Sequence, residues 1–271
     1  MFYKRFIPPT YLVPFVECMY VWQSDQDEPR SFESPPTGFC SIVFNSGSKY
    51  NVDNSKYSAW PTPDNFATGQ AIRSYQLNFE GRIAQAGIVF RPTGLFSMFN
   101  FPMYTMVEQR VALENLLPEE IVTSTAADLK STGDPMLKKQ VLVNFLDYFI
   151  NQRAPVTDFI TLAANRIVEQ NGLVQIDELI AQSFMTRRTF ERKFLNQVGL
   201  SPKYYARIRR ISYLCNIIAG KEKVDWQHLL HSCEYFDQAH FIRDFESFTG
   251  RSPQIYLDQN IELKKYLQNL T

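Results

Sequence analysis

The sequence predicts an α+β chain of two domains. The first, residues 1–153, is expected to be a β-rich domain built on a small antiparallel sheet or barrel, and the second, residues 156–271, to be all-helical. Three observations lead to this prediction. The chain has 271 residues, enough for two ordinary domains. Short β-rich runs separated by prolines occupy the first half. In the second half, one motif occurs twice with the same internal spacing.

The composition predicts a folded protein of the cytoplasm. The chain is 45% hydrophobic and 21% charged, which supplies enough apolar surface for a core and excludes a disordered or fibrous chain. No apolar run reaches the ~18 residues of a membrane span. Lys4 and Arg5 are followed by prolines instead of an apolar segment, so no secretion signal is expected. The four cysteines are scattered without a C-x-x-C pair, as in proteins with reduced thiols.

The first half contains the predicted strands. Runs rich in β-branched and aromatic residues are separated by turn residues, which favours a small antiparallel sheet or barrel. These runs cover residues 15–22, 39–44, 74–79 and 83–90. A ligand inside such a sheet would meet aromatic rings and a few polar groups, although packing in the core explains each of these side chains equally well. The candidate ligand-binding residues are Trp22, Phe44, Trp60, Tyr75, Phe79 and Arg91.

The first half offers no metal or nucleophile chemistry. Small β-barrels that hold a metal use two or three histidines, and all three histidines of this chain are in the second half. Cys18 and Cys40 have no histidine nearby in the sequence, so we expect them to fill the core. His228, His231 and Cys233 have passable metal spacing but lie beside leucines, which favours packing or exposure. The sequence therefore predicts no enzyme, no cofactor and no metal site.

A helix over residues 136–152 is expected to end the first domain. It has more apolar residues than one buried face requires, and surplus apolar surface often marks an interface. The helix could equally pack on its own domain. The candidate dimerisation residues are Val141, Phe145, Tyr148 and Phe149.

The duplicated motif has the form F-x-R-x-F-x4-G-x-S-P-x-x-Y. It begins at Phe190 and again at Phe241, with seven identical residues in each copy. In each copy apolar residues recur every four positions, as on the buried face of a short helix. Thr186 and Asp237 are suitable N-caps for these helices.

A short amphipathic helix precedes each copy, and a glycine follows each of the two capped helices. The pattern predicts helix-turn-helix units over about residues 175–199 and about residues 225–250, joined by a linker helix over residues 205–219. In such units the second helix enters the major groove of DNA.

This arrangement resembles the AraC/XylS family of bacterial transcription regulators. The paired motifs and the stretch 237–250 support the resemblance, and the segments 8–17 and 90–94 resemble the β-rich N-terminal domains of part of that family. Phe184 and Glu234 stand where the family has a turn glycine. A non-glycine residue in a left-handed turn costs about 1 kcal/mol, which we expect the fold to tolerate.

The second half also contains a basic stretch. Residues 187–210 include eight basic residues and one acid, although the whole chain has a formal charge of zero. Such a stretch is typical of a solvated face or of a phosphate-binding surface. Helical geometry and the resemblance both predict that the base-reading residues are Arg188, Glu191, Arg192, Gln238, His240 and Arg243. The predicted phosphate contacts are Arg187, Thr189, Lys193, Lys203, Arg207 and Arg209.

Two alternatives concern these side chains. Arg192 and Arg243 could pair with the neighbouring acids Glu191 and Asp244 and only anchor their units, and Gln238 and His240 could serve in packing. We expect the more basic first unit to dominate affinity and the second to add discrimination.

The sequence thus predicts a sequence-specific regulator of transcription that binds a double-stranded DNA operator, with recognition helices in successive major grooves. The resemblance implies that the N-terminal domain binds a small-molecule effector, forms a homodimer, or does both, and that RNA polymerase is a partner. Two other hypotheses are a DNA-modifying or repair enzyme that uses the paired units for targeting, and an interaction module that has lost DNA binding.

Overall fold

The computed structural model describes residues 1–54, 56, 58–219, 221 and 223–259. Its N-terminal half contains two antiparallel sheets and three α-helices, and its C-terminal half is helical, all among the described residues. The predicted fold class is therefore confirmed. No helix within the described ranges is long and apolar enough to cross a membrane.

Two sheets face each other in the N-terminal half. The strands found in the described residues are β1 (Phe2–Phe6), β2 (Val16–Ser24), β3 (Arg30–Ser34), β4 (Cys40–Asn45), β5 (Tyr50–Asp53), β6 (Trp60–Pro61), β7 (Asn65–Thr68), β8 (Tyr75–Phe79), β9 (Ile83–Phe90) and β10 (Arg110–Ala112). One sheet has the order β1-β2-β9-β4-β7-β10 and the other the order β3-β8-β5-β6. All pairings within them are antiparallel.

The larger sheet separates two apolar cores. Successive side chains of a strand point to opposite faces, so Ile42 and Phe44 of β4 lie in one core and Val43 lies in the other. Three helices cover the first face: α1 (Gly94–Phe99), α2 (Glu119–Ser131) and α3 (Pro135–Gln152). The second sheet covers the other face. The prediction that Phe44 binds a ligand inside the sheets is wrong, because this ring packs under the helices against Phe145, 5.4 Å away.

Helix α3 uses most of its apolar residues within its own domain. Phe145 is buried between Phe44, Phe99 and Phe149, so its prediction as a dimerisation residue is wrong. Val141 and Phe149 are half-buried against the same core. Tyr148 is exposed and remains a predicted dimerisation residue.

The C-terminal half contains the predicted pair of helical units. The helices are α4 (Phe159–Glu169), α5 (Ile176–Gln182), α6 (Arg187–Val198), α7 (Pro202–Ile218), α8 (Trp226–Ser232), α9 (Gln238–Thr249) and α10 (Pro253–Gln259). The linker helix α7 begins three residues earlier than predicted. Ser201 caps it by accepting a hydrogen bond from the Tyr204 amide, and Pro202 fits the first turn.

The duplicated motif consists largely of core and capping residues. Its two phenylalanines and its final tyrosine are buried in both copies and belong to one continuous core. Gly199 and Gly250 end α6 and α9 with φ of 94° and 75°, a backbone that glycine adopts without strain. The motif recurs because each unit needs the same buried side chains and the same helix end.

The two halves of the chain contact each other directly. The Tyr205 hydroxyl donates to the Gly38 carbonyl over 2.7 Å, and the Asn165 amide donates to the Pro14 carbonyl over 3.0 Å. The Ser74 N–H donates to the Phe248 carbonyl at 2.8 Å. Helix α4, the linker helix and the second helix-turn-helix unit are thereby anchored on the β-rich half.

Candidate DNA interface

The turn of each helix-turn-helix unit has a left-handed residue. Phe184 and Glu234 both have a φ of 55°, which is the backbone expected at the position where the family has glycine. The two turns differ in length. Two positions separate Phe184 from the N-cap Thr186, whereas three separate Glu234 from the N-cap Asp237. The two units therefore have helices of equal length but turns of different length.

Side-chain caps fix the start of both recognition helices. The Thr186 hydroxyl accepts a hydrogen bond from the Thr189 amide at 3.3 Å. The Asp237 carboxylate accepts one from the His240 amide at 2.6 Å. Each cap satisfies an N–H that the first helical turn would otherwise leave without a partner. The first turns of α6 and α9 are thus held in helical geometry.

The outer face of α6 presents positive charge. Arg188, Arg192 and Lys193 are exposed, and the structure gives none of them an ion pair with a described residue. Glu191 lies 3.6 Å from Arg187 instead, one turn away. The alternative in which Arg192 pairs with Glu191 is wrong.

The outer face of α9 is less basic. Gln238, His240 and Arg243 are exposed, and His240 also meets the edge of the Tyr235 ring at 5.4 Å. Asp244 is buried and is bound by Arg207, so the alternative in which it pairs with Arg243 is wrong. Among the residues described, Arg243 has no ion pair.

The buried carboxylate of Asp244 joins the linker helix to the second unit. It accepts hydrogen bonds from the Arg207 Nε at 2.9 Å and from the Tyr235 hydroxyl at 2.8 Å. The Arg207 guanidinium also lies over the Phe248 ring, 5.2 Å from its centre. These contacts fix the direction of α9 relative to α7.

Two predicted phosphate contacts are corrected by this packing. Arg209 is only 8% exposed; its guanidinium donates to the Thr37 carbonyl and lies over the Phe39 ring. Its prediction as a phosphate contact is wrong. The positive charge of Arg207 is already neutralised by Asp244, so Arg207 has little net charge with which to bind a phosphate. Lys193 and Lys203 are exposed. Arg187 is also exposed but pairs with Asp177 at 2.5 Å. The Thr189 hydroxyl lies 3.0 Å from the Thr186 hydroxyl.

A second candidate site is a cavity of about 530 Å³ between the two sheets, which reaches the linker helix. Trp22 and Tyr75 line it, as the ligand prediction requires. Phe79 instead packs against Trp22 and Tyr50. Arg91 lies 3.4 Å from both Glu17 and Glu169, outside the lining, and Trp60 is also outside it.

Sequence reasoning missed several residues of the cavity wall. Tyr20 stands two positions before Trp22 on β2, so the alternation of strand side chains could have indicated it. Arg5 lies opposite Tyr20 on β1, and Arg110 of β10 places its guanidinium 4.8 Å from the centre of the Tyr75 ring. The wall thus combines aromatic rings with three arginines, the third being Arg209 of the linker helix.

Some buried polar atoms at the cavity have no hydrogen-bond partner among the described residues. The Oε1 of Glu108 and the Nε of Arg209 are examples. An unpaired buried polar atom costs about 1–3 kcal/mol, and water or a ligand can remove that cost. Glu108 also has a left-handed backbone, with a φ of 58°.

The cysteines are poor nucleophiles. Burial raises the pKa of the Cys40 and Cys215 thiols to about 12 and that of Cys233 to about 11, so these thiols stay protonated. Burial also raises the pKa of Cys18, at the cavity wall. In the described part of the chain, no three His, Cys, Asp or Glu side chains converge to hold a metal ion.

Two family models match the chain. Residues 179–259 match the model described as "Helix-turn-helix domain", and residues 4–112 match "Domain of unknown function (DUF6597)". The resemblance of the C-terminal half to AraC-type helix-turn-helix domains is therefore confirmed.

The chain is also similar to individual proteins in sequence and in structure. It is 24% identical over 151 residues to the probable transcriptional regulator LumQ of Photobacterium leiognathi; this match spans 51% of the chain and 58% of LumQ. Two crystal structures of ToxT from Vibrio cholerae are similar at 10% identity. One is a P21 form with a TM-score of 0.44, covering 89% of this chain and 97% of ToxT. The other is bound to an unsaturated fatty acid and has a TM-score of 0.45, covering 89% and 98%.

Proposed function

We propose that this chain regulates transcription by binding a specific sequence of double-stranded DNA through both helix-turn-helix units. The observation that carries the proposal is the repeated placement of one arginine. Arg192 and Arg243 occupy the same motif position, both are exposed, and neither has an ion pair among the described residues. An arginine on the outer face of a recognition helix can bind guanine O6 and N7 with two hydrogen bonds.

The remaining exposed side chains have distinct proposed roles. Arg188 of α6, with Gln238 and His240 of α9, stands in the first turn of its helix, from which base edges are reached. Lys193 and Lys203 bind phosphates and set the register without reading sequence. A regulator of transcription acts on RNA polymerase, which is the expected protein partner.

The test compares selected and random DNA. A duplex is selected from a random library with the full chain, and its affinity is measured over a salt series against random duplex. We expect the wild-type chain to prefer the selected duplex by ~10³-fold or more. Arg192→Ala and Arg243→Ala should each lose about 1–3 kcal/mol of that preference, because a two-pronged base contact is removed.

The control for this test is Arg153→Ala, which removes an exposed arginine outside both units. It should leave the preference unchanged. If Arg192→Ala and Arg243→Ala weakened binding to selected and random duplex by the same factor, these arginines would be phosphate contacts and the base-reading assignment would be wrong.

We further propose that the cavity between the sheets binds an effector with an apolar body and an acidic group. Tyr20, Trp22 and Tyr75 suit the apolar body, and Arg5 and Arg110 suit the acid. Arg209, Ser212 and Asn216 of the linker helix also line the cavity. A ligand there would contact both halves of the chain. Its binding would therefore affect the recognition helices through the linker helix.

The effector proposal is tested by thermal unfolding with 4-phenylbutanoate and with the matched alcohol 4-phenylbutanol as probes. The acid should raise the unfolding temperature more than the alcohol, because a ligand that binds only the folded state stabilises it by mass action. Arg110→Gln should reduce the difference between acid and alcohol, because one of the two arginines proposed to bind the acid is removed. An equal response to the two probes in the wild-type chain, or an unchanged response in Arg110→Gln, would contradict the proposal.

A further inference from the structure

Two phenylalanine rings stand in solvent at the beginning of the recognition helices. The side chain of Phe184 is 100% exposed and that of Phe236 is 95% exposed. Neither ring contacts another aromatic ring or a cation among the described residues. Packing within the chain therefore gives these two rings no role.

Each ring lies just before the N-terminus of a recognition helix, the helix that reads DNA in this fold. Phe236 directly precedes the N-cap of α9, and Phe184 is two positions before the N-cap of α6. The N-terminal residues of a recognition helix are those that contact base edges. Single exposed apolar residues are common on protein surfaces. Here, however, an exposed phenylalanine stands in the turn before both recognition helices, although the two are not at corresponding turn positions.

Their neighbours define what these rings would meet. Arg188 is four positions after Phe184, and Gln238 is two positions after Phe236; both are exposed and polar. In a bound duplex these side chains would form hydrogen bonds to bases, so the rings would lie at the edge of the same base pairs. In the major groove the apolar group displayed by those edges is the C5 methyl of thymine, which phenylalanine side chains contact.

We propose that Phe184 and Phe236 each pack against a thymine methyl group in the major groove, so that each half-site contains a thymine beside its hydrogen-bonded bases. This inference rests on the proposed function. It adds an apolar component to recognition, which the arginines and the glutamine cannot supply. Phe184 and Phe236 would then determine part of the sequence preference, in addition to affinity.

The experiment removes the methyl group alone. In the duplex selected with the full chain, thymines are replaced one at a time by deoxyuridine, which keeps every hydrogen-bonding group. For the wild-type chain we expect one thymine in each half-site whose replacement weakens binding about 4-fold, the factor that corresponds to one buried methyl group. Phe184→Ala should be insensitive to the replacement in one half-site and Phe236→Ala to that in the other.

Two controls separate a specific contact from a general loss of binding. Ile7→Ala removes an exposed apolar side chain of the β-rich half, 82% exposed, and should retain the full sensitivity to deoxyuridine. Thermal unfolding of each variant should match that of the wild-type chain, since both rings lack internal contacts. Phe236→Leu should keep part of the sensitivity, because it still presents an apolar group.

The proposal is overturned if no single deoxyuridine weakens wild-type binding, or if both alanine variants keep the wild-type sensitivity. In that case the rings serve another surface, such as one that binds a protein. Failure of the proposed function would show earlier, as the absence of any preferred duplex in the selection, and would overturn both proposals.

Discussion

Phe194→Ala is expected to lower the free energy of unfolding of the full chain by about 3–5 kcal/mol, the range for a phenylalanine removed from a core. Phe194 is fully buried at the centre of the first unit. Its ring centre lies 6.0 Å from those of Phe190 and of Tyr205, so it joins α6 to the linker helix. These neighbours belong to two helices and can fill the resulting cavity only in part.

The adjacent residue provides the control. Leu195 is 42% exposed on the outer face of α6, and Leu195→Ala should change stability by well under half of the Phe194→Ala effect. Both variants are measured by urea unfolding of the full chain. Equal losses would mean that the buried face of α6 has been assigned to the wrong side.

Gly172→Ala should destabilise the chain by about 2–4 kcal/mol, which combines a left-handed alanine with steric overlap. Gly172 follows α4 with a φ of 79°, and an added Cβ would lie 2.1 Å from the carbonyl oxygen of Ala206 and 2.8 Å from the amide nitrogen of Arg210. Both are backbone atoms of α7. The linker helix would have to move away from α4 to admit one methyl group.

Two other glycines separate the two contributions. Gly250 has a φ of 75° but nothing within 4 Å of an added Cβ, so Gly250→Ala should cost only about 1 kcal/mol. Gly133 has neither a positive φ nor a neighbour within 4 Å, and Gly133→Ala should be neutral or slightly stabilising. If Gly172→Ala and Gly250→Ala had equal costs, the contact between α4 and α7 would be looser than the structure describes.

The helical half could be predicted closely because its signals are local. Thr186, Asp225 and Asp237 are caps within three residues of the amides they bind, and Gly199 and Gly250 end helices that a four-residue apolar period defines. Each of these features occupies one short window of sequence. The predicted helices consequently differ from the observed ones by a few residues at their ends.

Much of the β-rich half could not be predicted because its elements depend on distant partners. Strand β3 is mostly polar, and its single aromatic residue, Phe32, gains a neighbour only when it meets Trp22, 5.2 Å away. Helix α2 was not predicted from the sequence. Its threonines and valine are β-branched residues, which favour strands, although this segment packs as a helix. In both cases contacts with residues far along the chain decide the structure.

The candidate interface was predicted in outline but not in its ion pairs. Arg209 is four residues after Tyr205 and therefore shares its buried face, a signal that the sequence already contained. The same spacing connects Arg187 with Glu191. The contact of Arg207 with Asp244 joins two helices of the fold, and the sequence held no comparable signal for it.

The unequal turns make the two helix-turn-helix units different from each other. Because the second turn has one residue more than the first, no single shift along the chain superimposes the first helices, α5 and α8, together with the recognition helices, α6 and α9. DNA bound by one chain through both units would be read as an ordered pair of different half-sites, in contrast to the palindromes read by symmetric dimers. Such a site is asymmetric and has a defined orientation on the DNA. Its orientation would determine on which side of the start of transcription the β-rich half stands.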